Sequence, residues 1–169
     1  MNQETEKKDI RLTVILIASV ILLAAAAFIV NLLVSPKAVT GQGPVNLKDG
    51  TPITGEEAGA YVLCRFSAND STGFLPLPEN GEESFPIRLT AEDGTETENV
   101  LHLTPDGFYM ESATCKNQNC VQQGTVTLEN REWRAMQNCV VCLPNGVTAE
   151  LYTADEVRRM LNESETSSK

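Results

Sequence analysis

Histidine and tryptophan are nearly absent from this sequence of 169 residues, which contains one of each. A single histidine, His102, leaves little room for histidine-based catalysis or for a metal site built from several histidines. The chain also has no P-loop and no GxSxG or GxGxxG motif, so no motif predicts phosphate binding or serine hydrolase chemistry. We therefore predict no catalytic residue, no bound metal and no cofactor.

Basic residues are also scarce. Lys and Arg number 13 against 23 Asp and Glu, which gives a net charge of −10. Such an acidic surface repels phosphate backbones, so nucleic acid is excluded as a partner. The length is that of one domain with short extensions, which excludes a large multidomain enzyme.

Apolar residues, in contrast, are concentrated in one stretch. Residues 12–34 carry no charge, and as a helix rising about 1.5 Å per residue they span roughly 34 Å, enough for a hydrocarbon core of ~30 Å. This predicts a transmembrane helix in the lipid bilayer. A cleaved signal peptide is the alternative, because Ala25, Ala26 and Ala27 offer a cleavage site, but cleavage there leaves an apolar new terminus.

The basic residues around this stretch predict its orientation. Lys7, Lys8 and Arg11 precede it, whereas Lys37 and Lys48 are the nearest basic residues behind it. Because cytoplasmic flanks carry the excess of Lys and Arg, we predict a single-pass protein of the cell membrane with a cytoplasmic N-terminus. The C-terminal domain is then extracytoplasmic, where disulfides persist.

Beyond the apolar stretch, proline and glycine mark a linker, and from residue 60 short apolar runs with a period of two alternate with turn signals. We predict strands at 60–67, 84–90, 98–103, 107–112, 121–128, 134–143 and 147–152. About seven short strands indicate a small all-β barrel or sandwich. Thr153 and Glu156 fit a capping box, which predicts a short C-terminal helix, and Trp133 is expected in the core.

These signals divide the chain into five parts. In order they are a cytoplasmic N-terminus (1–11), a transmembrane helix (12–34), a linker (35–59), the β domain (60–153), and a short helix with a polar tail (154–169).

Four of the five cysteines lie in one window with the spacing Cys115-x4-Cys120-x18-Cys139-x2-Cys142. This spacing is typical of a four-thiolate metal site of the zinc-ribbon kind. However, Cys139 and Cys142 flank two valines, which favour an extended strand, and residues three apart in a strand point to opposite faces. The pattern therefore favours disulfide chemistry over a structural metal.

Five cysteines allow many pairings, and spacing alone does not choose among them. Cys115 and Cys120 are the first choice, because the polar loop between them lets its ends approach the Cα separation of ~5.5 Å that a bridge needs. Cys142 is a third candidate at a strand end. Cys64 and Cys139 are expected to pack inside the barrel as small apolar side chains, and whether they pair with each other stays open.

Two segments resemble the NusG domain II family. The first reads Cys115-x4-Cys120-Val-x-x-Gly124, and the second is a Cys142-Leu-Pro-Asn turn that leads into a final strand. The resemblance covers roughly residues 60–152. It implies a compact all-β domain, found most often as a stand-alone extracytoplasmic domain behind one membrane helix in Gram-positive bacteria. The family has no settled biochemical function.

The resemblance carries over to Cys115, Cys120 and Cys142, whereas Cys139 falls outside the family pattern. It also implies that the polar loop lies near the turn at the end of the chain's last hairpin. The loop residues are Lys116, Asn117, Gln118 and Asn119, and the turn residues are Pro144, Asn145 and Gly146. Transcription is not implied, because this chain is acidic and has a predicted membrane anchor.

From these observations we predict an accessory or interaction module of a membrane complex, in which the polar loop presents a surface to a membrane-protein partner. A thiol–disulfide or electron-transfer module using Cys115, Cys120 and Cys142 is the alternative. A structural four-cysteine metal site is the third hypothesis. A cysteine that is exposed and easily ionised favours the second, whereas buried sulfur is inert.

Overall fold

The protein is described by a computed structural model that covers residues 44–91 and 93–167. The predicted cytoplasmic N-terminus and the predicted transmembrane helix at 12–34 lie outside the described residues. Within those residues, no helix combines the length and the apolar character needed to cross a membrane.

The described residues form two four-stranded antiparallel sheets and a C-terminal helix. The strands are β1 (Ala60–Phe66), β2 (Ser71–Pro76), β3 (Glu83–Thr90), β4 (Glu96–Thr104), β5 (Gly107–Ala113), β6 (Val126–Thr127), β7 (Cys139–Cys142) and β8 (Val147–Thr153). Sheet I has the order β2-β1-β8-β7, and sheet II has the order β3-β4-β5-β6. The prediction of an all-β domain with one short C-terminal helix is confirmed.

The main core contains inward-facing side chains from all eight strands, so it joins the two sheets. Strand β4 shows the alternation clearly, since Leu101 and Leu103 are buried while His102 between them is half-buried. The same alternation places Asn99 on the buried face of β4. A polar side chain therefore enters an otherwise apolar core at the end of sheet II where the cysteines lie.

The helix α1 (Ala154–Ser167) covers the other face of sheet I. Tyr61 and Leu63 of β1 point to this face, where they join a second apolar cluster with Val157 of the helix. The predicted capping box is confirmed. The backbone N–H of Glu156 donates to the Thr153 hydroxyl at 3.3 Å, and the backbone N–H of Thr153 donates to the Glu156 carboxylate at 2.7 Å.

Residues 44–59, predicted as part of a linker, pack on sheet I. Leu47 and Ile53 are buried. The Phe74 N–H donates to the Val45 carbonyl and the Leu47 N–H donates to the Phe74 carbonyl, both at 2.8 Å. The folded unit therefore begins before the predicted boundary at residue 60. Few large apolar residues are needed for this packing, which is why the composition of the segment resembles a linker.

Three other expectations were wrong in detail. The strand predicted at 121–128 is a 3₁₀ helix at Val121–Gln123 followed by the two-residue strand β6. The strand predicted at 134–143 begins only at Cys139, because the Arg134 guanidinium donates to the carbonyls of Gln123 and Gln137 and holds the preceding turns. Trp133, expected in the core, is 86% exposed in those turns.

Candidate three-cysteine site

Three cysteines from separate parts of the chain meet at one end of the β domain. The sulfur atoms of Cys115, Cys120 and Cys142 all lie within 4.8 Å of one another, and those of Cys115 and Cys120 are 3.6 Å apart. Each side chain is at least 95% buried, and no disulfide joins any of the five cysteines. The structure thus brings together the three cysteines that the sequence singled out.

The polar loop between Cys115 and Cys120 has a defined shape. Gln118 adopts a left-handed backbone with φ of 53°, and its side-chain amide donates to the carbonyls of Ala113 and Cys115. Cys115 lies two residues after the end of β5, and these bonds tie the loop to that end of the strand. Three loop residues are exposed, as predicted, namely Lys116, Asn117 and Asn119, whereas Gln118 is half-buried because it holds the loop together.

Cys142 is the last residue of β7, and the side chain of Gln123 holds the edge of this strand. The side-chain amide of Gln123 accepts from the Val141 N–H at 2.8 Å and donates to the Val141 carbonyl at 2.7 Å. One glutamine side chain therefore satisfies both backbone groups of Val141 at the edge of sheet I. The 3₁₀ helix that carries Gln123 follows Cys120 directly, so this pairing also ties the cysteine loop to β7.

Two buried asparagines complete the site. The side chain of Asn145, in the turn after β7, donates to the Asn99 side-chain oxygen at 2.8 Å and to the Thr114 hydroxyl at 3.3 Å. The Asn99 amide in turn donates to the sulfur of Met110 at 3.3 Å and lies beside the thiol of Cys142. These bonds cross between the two sheets and attach the turn at Pro144–Gly146 to the cysteine loop.

The thiols of Cys120 and Cys142 differ in how easily they ionise. Burial opposes ionisation of Cys142, but hydrogen bonds from the Asn99 side chain, the Asn145 backbone N–H and the two other thiols outweigh it, so the pKa of Cys142 is lowered. Burial, with donation of the thiol hydrogen toward Cys142, raises the pKa of Cys120. Cys142 is therefore the thiol of this pair that ionises more readily.

The other two cysteines do not join the cluster. Cys64 is fully buried in β1, as expected, and burial raises the pKa of its thiol. Cys139 is only half-buried, so the expectation that it packs inside the barrel was wrong. It points away from Cys142 across β7, as the strand alternation predicts, and its thiol donates to the Met136 carbonyl at 3.1 Å. The four-cysteine metal arrangement is therefore not assembled.

Several site residues were missed in the sequence. Asn99 and Gln123 were not considered, and Asn145 was considered only as a turn residue. Asn99 carried a usable signal, because a polar residue at an inward position of an alternating strand requires a buried partner. Gln123 carried none, because its role depends on how close the 3₁₀ helix lies to the edge of β7.

His102 lies outside this site, on the outer face of sheet II. Its Nε2 is 3.1 Å from a Glu82 carboxylate oxygen, its Nδ1 is 3.2 Å from the Ser84 hydroxyl, and its ring stacks on Tyr109. Ser84 donates its hydroxyl hydrogen to Glu111 at 2.6 Å. His102 is therefore a half-buried strand histidine in a surface network.

The exposed surface beside the site combines apolar and polar side chains. Leu143 is 84% exposed directly after the buried Cys142, and Pro144 beside it is also exposed. A cleft of about 300 Å³ borders Leu143 and is lined on its other side by Asp70 and Thr72. An apolar side chain therefore stands between a polar loop and a partly polar cleft.

The fold and site together define a class of protein, a two-sheet antiparallel β domain with a buried three-cysteine centre at one end. No family model and no curated protein matches the chain. Among solved structures it is similar to a DUF1312 family protein from Enterococcus faecalis, at 16% identity over 56% of this chain and 97% of that chain, with a TM-score of 0.41.

Two further solved structures are similar. The Lin0431 protein from Listeria innocua is 20% identical over 55% of this chain and 97% of that chain, with a TM-score of 0.40. A DUF1312 family protein from Ruminococcus gnavus is 22% identical over 54% of this chain and 96% of that chain, with a TM-score of 0.35. The resemblance to the NusG domain II family stays a prediction.

Proposed function

We propose that this protein is an interaction module held at the outer face of the cell membrane by the predicted helix at 12–34. Its binding surface is the exposed end above the three cysteines, which we call the cysteine-end surface: Lys116, Asn117, Asn119, Leu143 and Pro144. The observation that carries the proposal is the 84% exposure of Leu143 on a base whose sulfur and amide groups are buried. The family resemblance supports the location outside the cytoplasm.

The buried contacts beneath the cysteine-end surface favour its role as a binding surface. The loop that carries Lys116 and the turn that carries Leu143 are held by the same contacts between Cys142, Asn99 and Asn145. A surface fixed before binding loses little conformational entropy when a partner docks. An exposed leucine next to polar groups is typical of a contact centre surrounded by a polar rim.

The predicted anchor restricts the partner to the membrane. Nine residues separate the predicted helix at 12–34 from Pro44, where the described residues begin, and a fully extended chain of that length reaches about 30 Å. A tether of this length would limit how far the β domain can move from the predicted anchor. We infer that the partner is an acceptor at the same membrane, and a membrane protein with a basic exposed domain would complement the net charge of −10.

Site-specific photo-crosslinking in intact cells tests this function. A photoreactive residue at position 143 is compared with one at position 79. Glu79 is exposed and lies just before β3. The first residue of β3, Glu83, pairs with Leu103, which is at the opposite end of β4 from Asn99. We expect one discrete adduct, with the same identified membrane protein, from position 143 and none from position 79. Equal adducts from both positions, or none from position 143, would contradict the proposal.

A second candidate function is thiol–disulfide exchange at the same centre, favoured by the 3.6 Å separation of the Cys115 and Cys120 sulfurs and by the lowered pKa of Cys142. In such a reaction the two thiols of Cys115 and Cys120 become a disulfide, while a partner's disulfide takes up two electrons and two protons. Burial of all three sulfurs opposes exchange with a protein partner. Rapid reduction of a small disulfide by the native protein would support this candidate, and reduction only after unfolding would exclude it.

A further inference from the structure

We propose that the reduced centre formed by Cys115, Cys120 and Cys142 binds one monovalent thiophilic cation, Cu(I), through three sulfur ligands. This inference is independent of the interaction function, because it concerns the buried side of the site rather than its exposed surface.

The spacing of the sulfur atoms fits a single ion. Three thiolates that each lie about 2.3 Å from one metal are about 4 Å from one another. In the structure the three sulfurs lie within 4.8 Å of one another, with Cys115 and Cys120 3.6 Å apart. Side-chain movements of less than about 1 Å would bring all three into contact with one ion.

The ligand set selects the kind of metal. Three cysteine sulfurs favour soft d¹⁰ ions over magnesium, calcium or manganese, which prefer oxygen. Among the residues that the structure describes, no fourth His, Cys, Asp or Glu ligand atom joins this group. Zinc sites are almost always four-coordinate, whereas Cu(I) is satisfied by two or three thiolates. The burial of the sulfurs also keeps water from completing a zinc site.

The surrounding amides stabilise the charge that such a complex carries. The Asn99 side chain and the backbone N–H of Asn145 lie beside the Cys142 sulfur as hydrogen-bond donors within its reach. Hydrogen bonds to a ligand sulfur disperse its negative charge and fix its position, which is how outer groups tune metal–thiolate sites. The Asn145 side chain holds Asn99 in place at 2.8 Å, so the donors are positioned before the ion arrives.

Copper and a disulfide compete for the same atoms. A bridge between Cys115 and Cys120 would consume two of the three ligands, so the reduced protein binds Cu(I) and the bridged protein does not. Cys139 provides a matched control, because it is a half-buried cysteine on the opposite face of β7 and makes no contact with the cluster.

The test uses the purified full chain in detergent, reduced and kept under anaerobic conditions, and Cu(I) itself is the probe. We expect one Cu(I) per chain to be retained against a Cu(I) chelator, with an X-ray absorption spectrum that shows three sulfur neighbours at about 2.3 Å. Cys142→Ser should weaken retention by about 100-fold or more, and Cys139→Ser should leave it unchanged.

If Cys142→Ser fails to fold, Cys115→Ser is the second variant, since Cys115 lies at the edge of the cluster beside the exposed loop. Cu(I) should then raise the melting temperature of the wild-type chain and of Cys139→Ser but not that of Cys115→Ser. Failure of the reduced wild-type chain to retain Cu(I), loss of retention in Cys139→Ser, or tight binding of Zn²⁺ without Cu(I) would each overturn the proposal. None of these results changes the crosslink expected from Leu143.

Discussion

Neighbouring residues of the cysteine loop differ sharply in what they do. Gln118 bonds two backbone carbonyls with its side chain, whereas the exposed Asn117 accepts one long hydrogen bond at 3.3 Å from the N–H of Asn119. The sequence predicted both as surface residues of one polar loop. They differ because the left-handed turn at Gln118 directs its amide inward, and composition does not encode that direction.

Replacement of these two residues separately tests this difference. We expect Gln118→Ala to lower the free energy of unfolding by about 1–2 kcal/mol, since the carbonyls of Ala113 and Cys115 lose their donor. Asn117→Ala should change it by less than about 0.5 kcal/mol, as exposed substitutions usually do. Urea unfolding of both variants measures the two values. Equal losses of unfolding free energy in the two variants would show that the cysteines alone hold the loop.

A second residue-scale prediction concerns Glu156. Its carboxylate receives two hydrogen bonds from Arg131, at 2.6 and 2.9 Å, and these together with the bonds from Thr153 lower its pKa from 4.5 to about 2 despite partial burial. Because the pKa is lower in the folded state, the ionised carboxylate stabilises the fold fully above pH 4.5. This stabilisation is lost as the pH falls toward 2.

We therefore expect Glu156→Gln to lower the free energy of unfolding by about 2 kcal/mol at pH 7. The difference between the variant and the wild type should shrink to less than half at pH 3. Denaturant titrations at the two pH values measure it, and Glu79→Gln, an exposed carboxylate in a loop, is the control. A difference that stays constant between pH 7 and pH 3 would show that the ion pair with Arg131 is not responsible.

The site was predictable from the sequence only in part. The three cysteines stood out by spacing and by resemblance, because thiol groups are few and their chemistry is distinctive. Asn99 and Gln123 act through contacts between β4, β7 and the 3₁₀ helix, which depend on how the two sheets are stacked. Asn99 left one local signal, as a polar residue at an inward position of β4, whereas Gln123 left none because it acts only through a tertiary contact.

At the scale of elements, alternating strands were predicted well and irregular ones poorly. Strands β1, β3, β4, β5 and β8 were predicted to within two residues, and in β4 and β8 the buried positions recur with a period of two. Strand β2 was missed since Gly73 interrupts its pattern. That glycine is required by packing, because a Cβ atom there would lie 2.2 Å from a side-chain carbon of Leu47.

Strand pairing depends on a second glycine. At Gly107, the first residue of β5, a Cβ atom would lie 2.0 Å from the Val126 carbonyl oxygen and 2.9 Å from the Thr127 Cα. Both are backbone atoms of β6, so they cannot move aside as a flexible side chain can. Gly59, just before β1, has open space where a Cβ atom would lie, so it provides a matched control.

We expect Gly107→Ala to lower the free energy of unfolding by about 2–4 kcal/mol by separating β6 from β5. Gly59→Ala should change it by less than about 0.5 kcal/mol. Thermal unfolding followed by circular dichroism distinguishes the two. A Gly107→Ala chain as stable as the wild type would mean that the pairing of β5 with β6 is dispensable.

For the whole molecule, the main prediction is its placement in the cell. The uncharged stretch at 12–34 and the three basic residues before it predict that the β domain lies outside the cytoplasm. Protease added to intact cells or protoplasts should remove a C-terminal tag while a cytoplasmic marker survives. A protected tag would contradict both the location and the proposed surface acceptor.

The account as a whole depends on one property, the convergence of Cys115, Cys120 and Cys142 at a single buried centre. The cysteine-end surface is rigid because its loop and turn share this base, and the copper proposal uses the same three sulfur atoms. Cys64 and Cys139 are outside the centre, one inside the core and the other on the far face of β7. The five cysteines therefore divide into one cluster of three and two cysteines outside it.

Mild oxidation of the folded, reduced protein followed by peptide mapping without reductant tests this division most directly. We expect one intramolecular bridge drawn from the group of three, with Cys115 to Cys120 as the main product because their sulfurs are 3.6 Å apart. Cys64 and Cys139 should be recovered as thiols. An intramolecular bridge that includes Cys64 or Cys139, or three cluster cysteines that stay unbridged while Cys139 oxidises, would contradict the account.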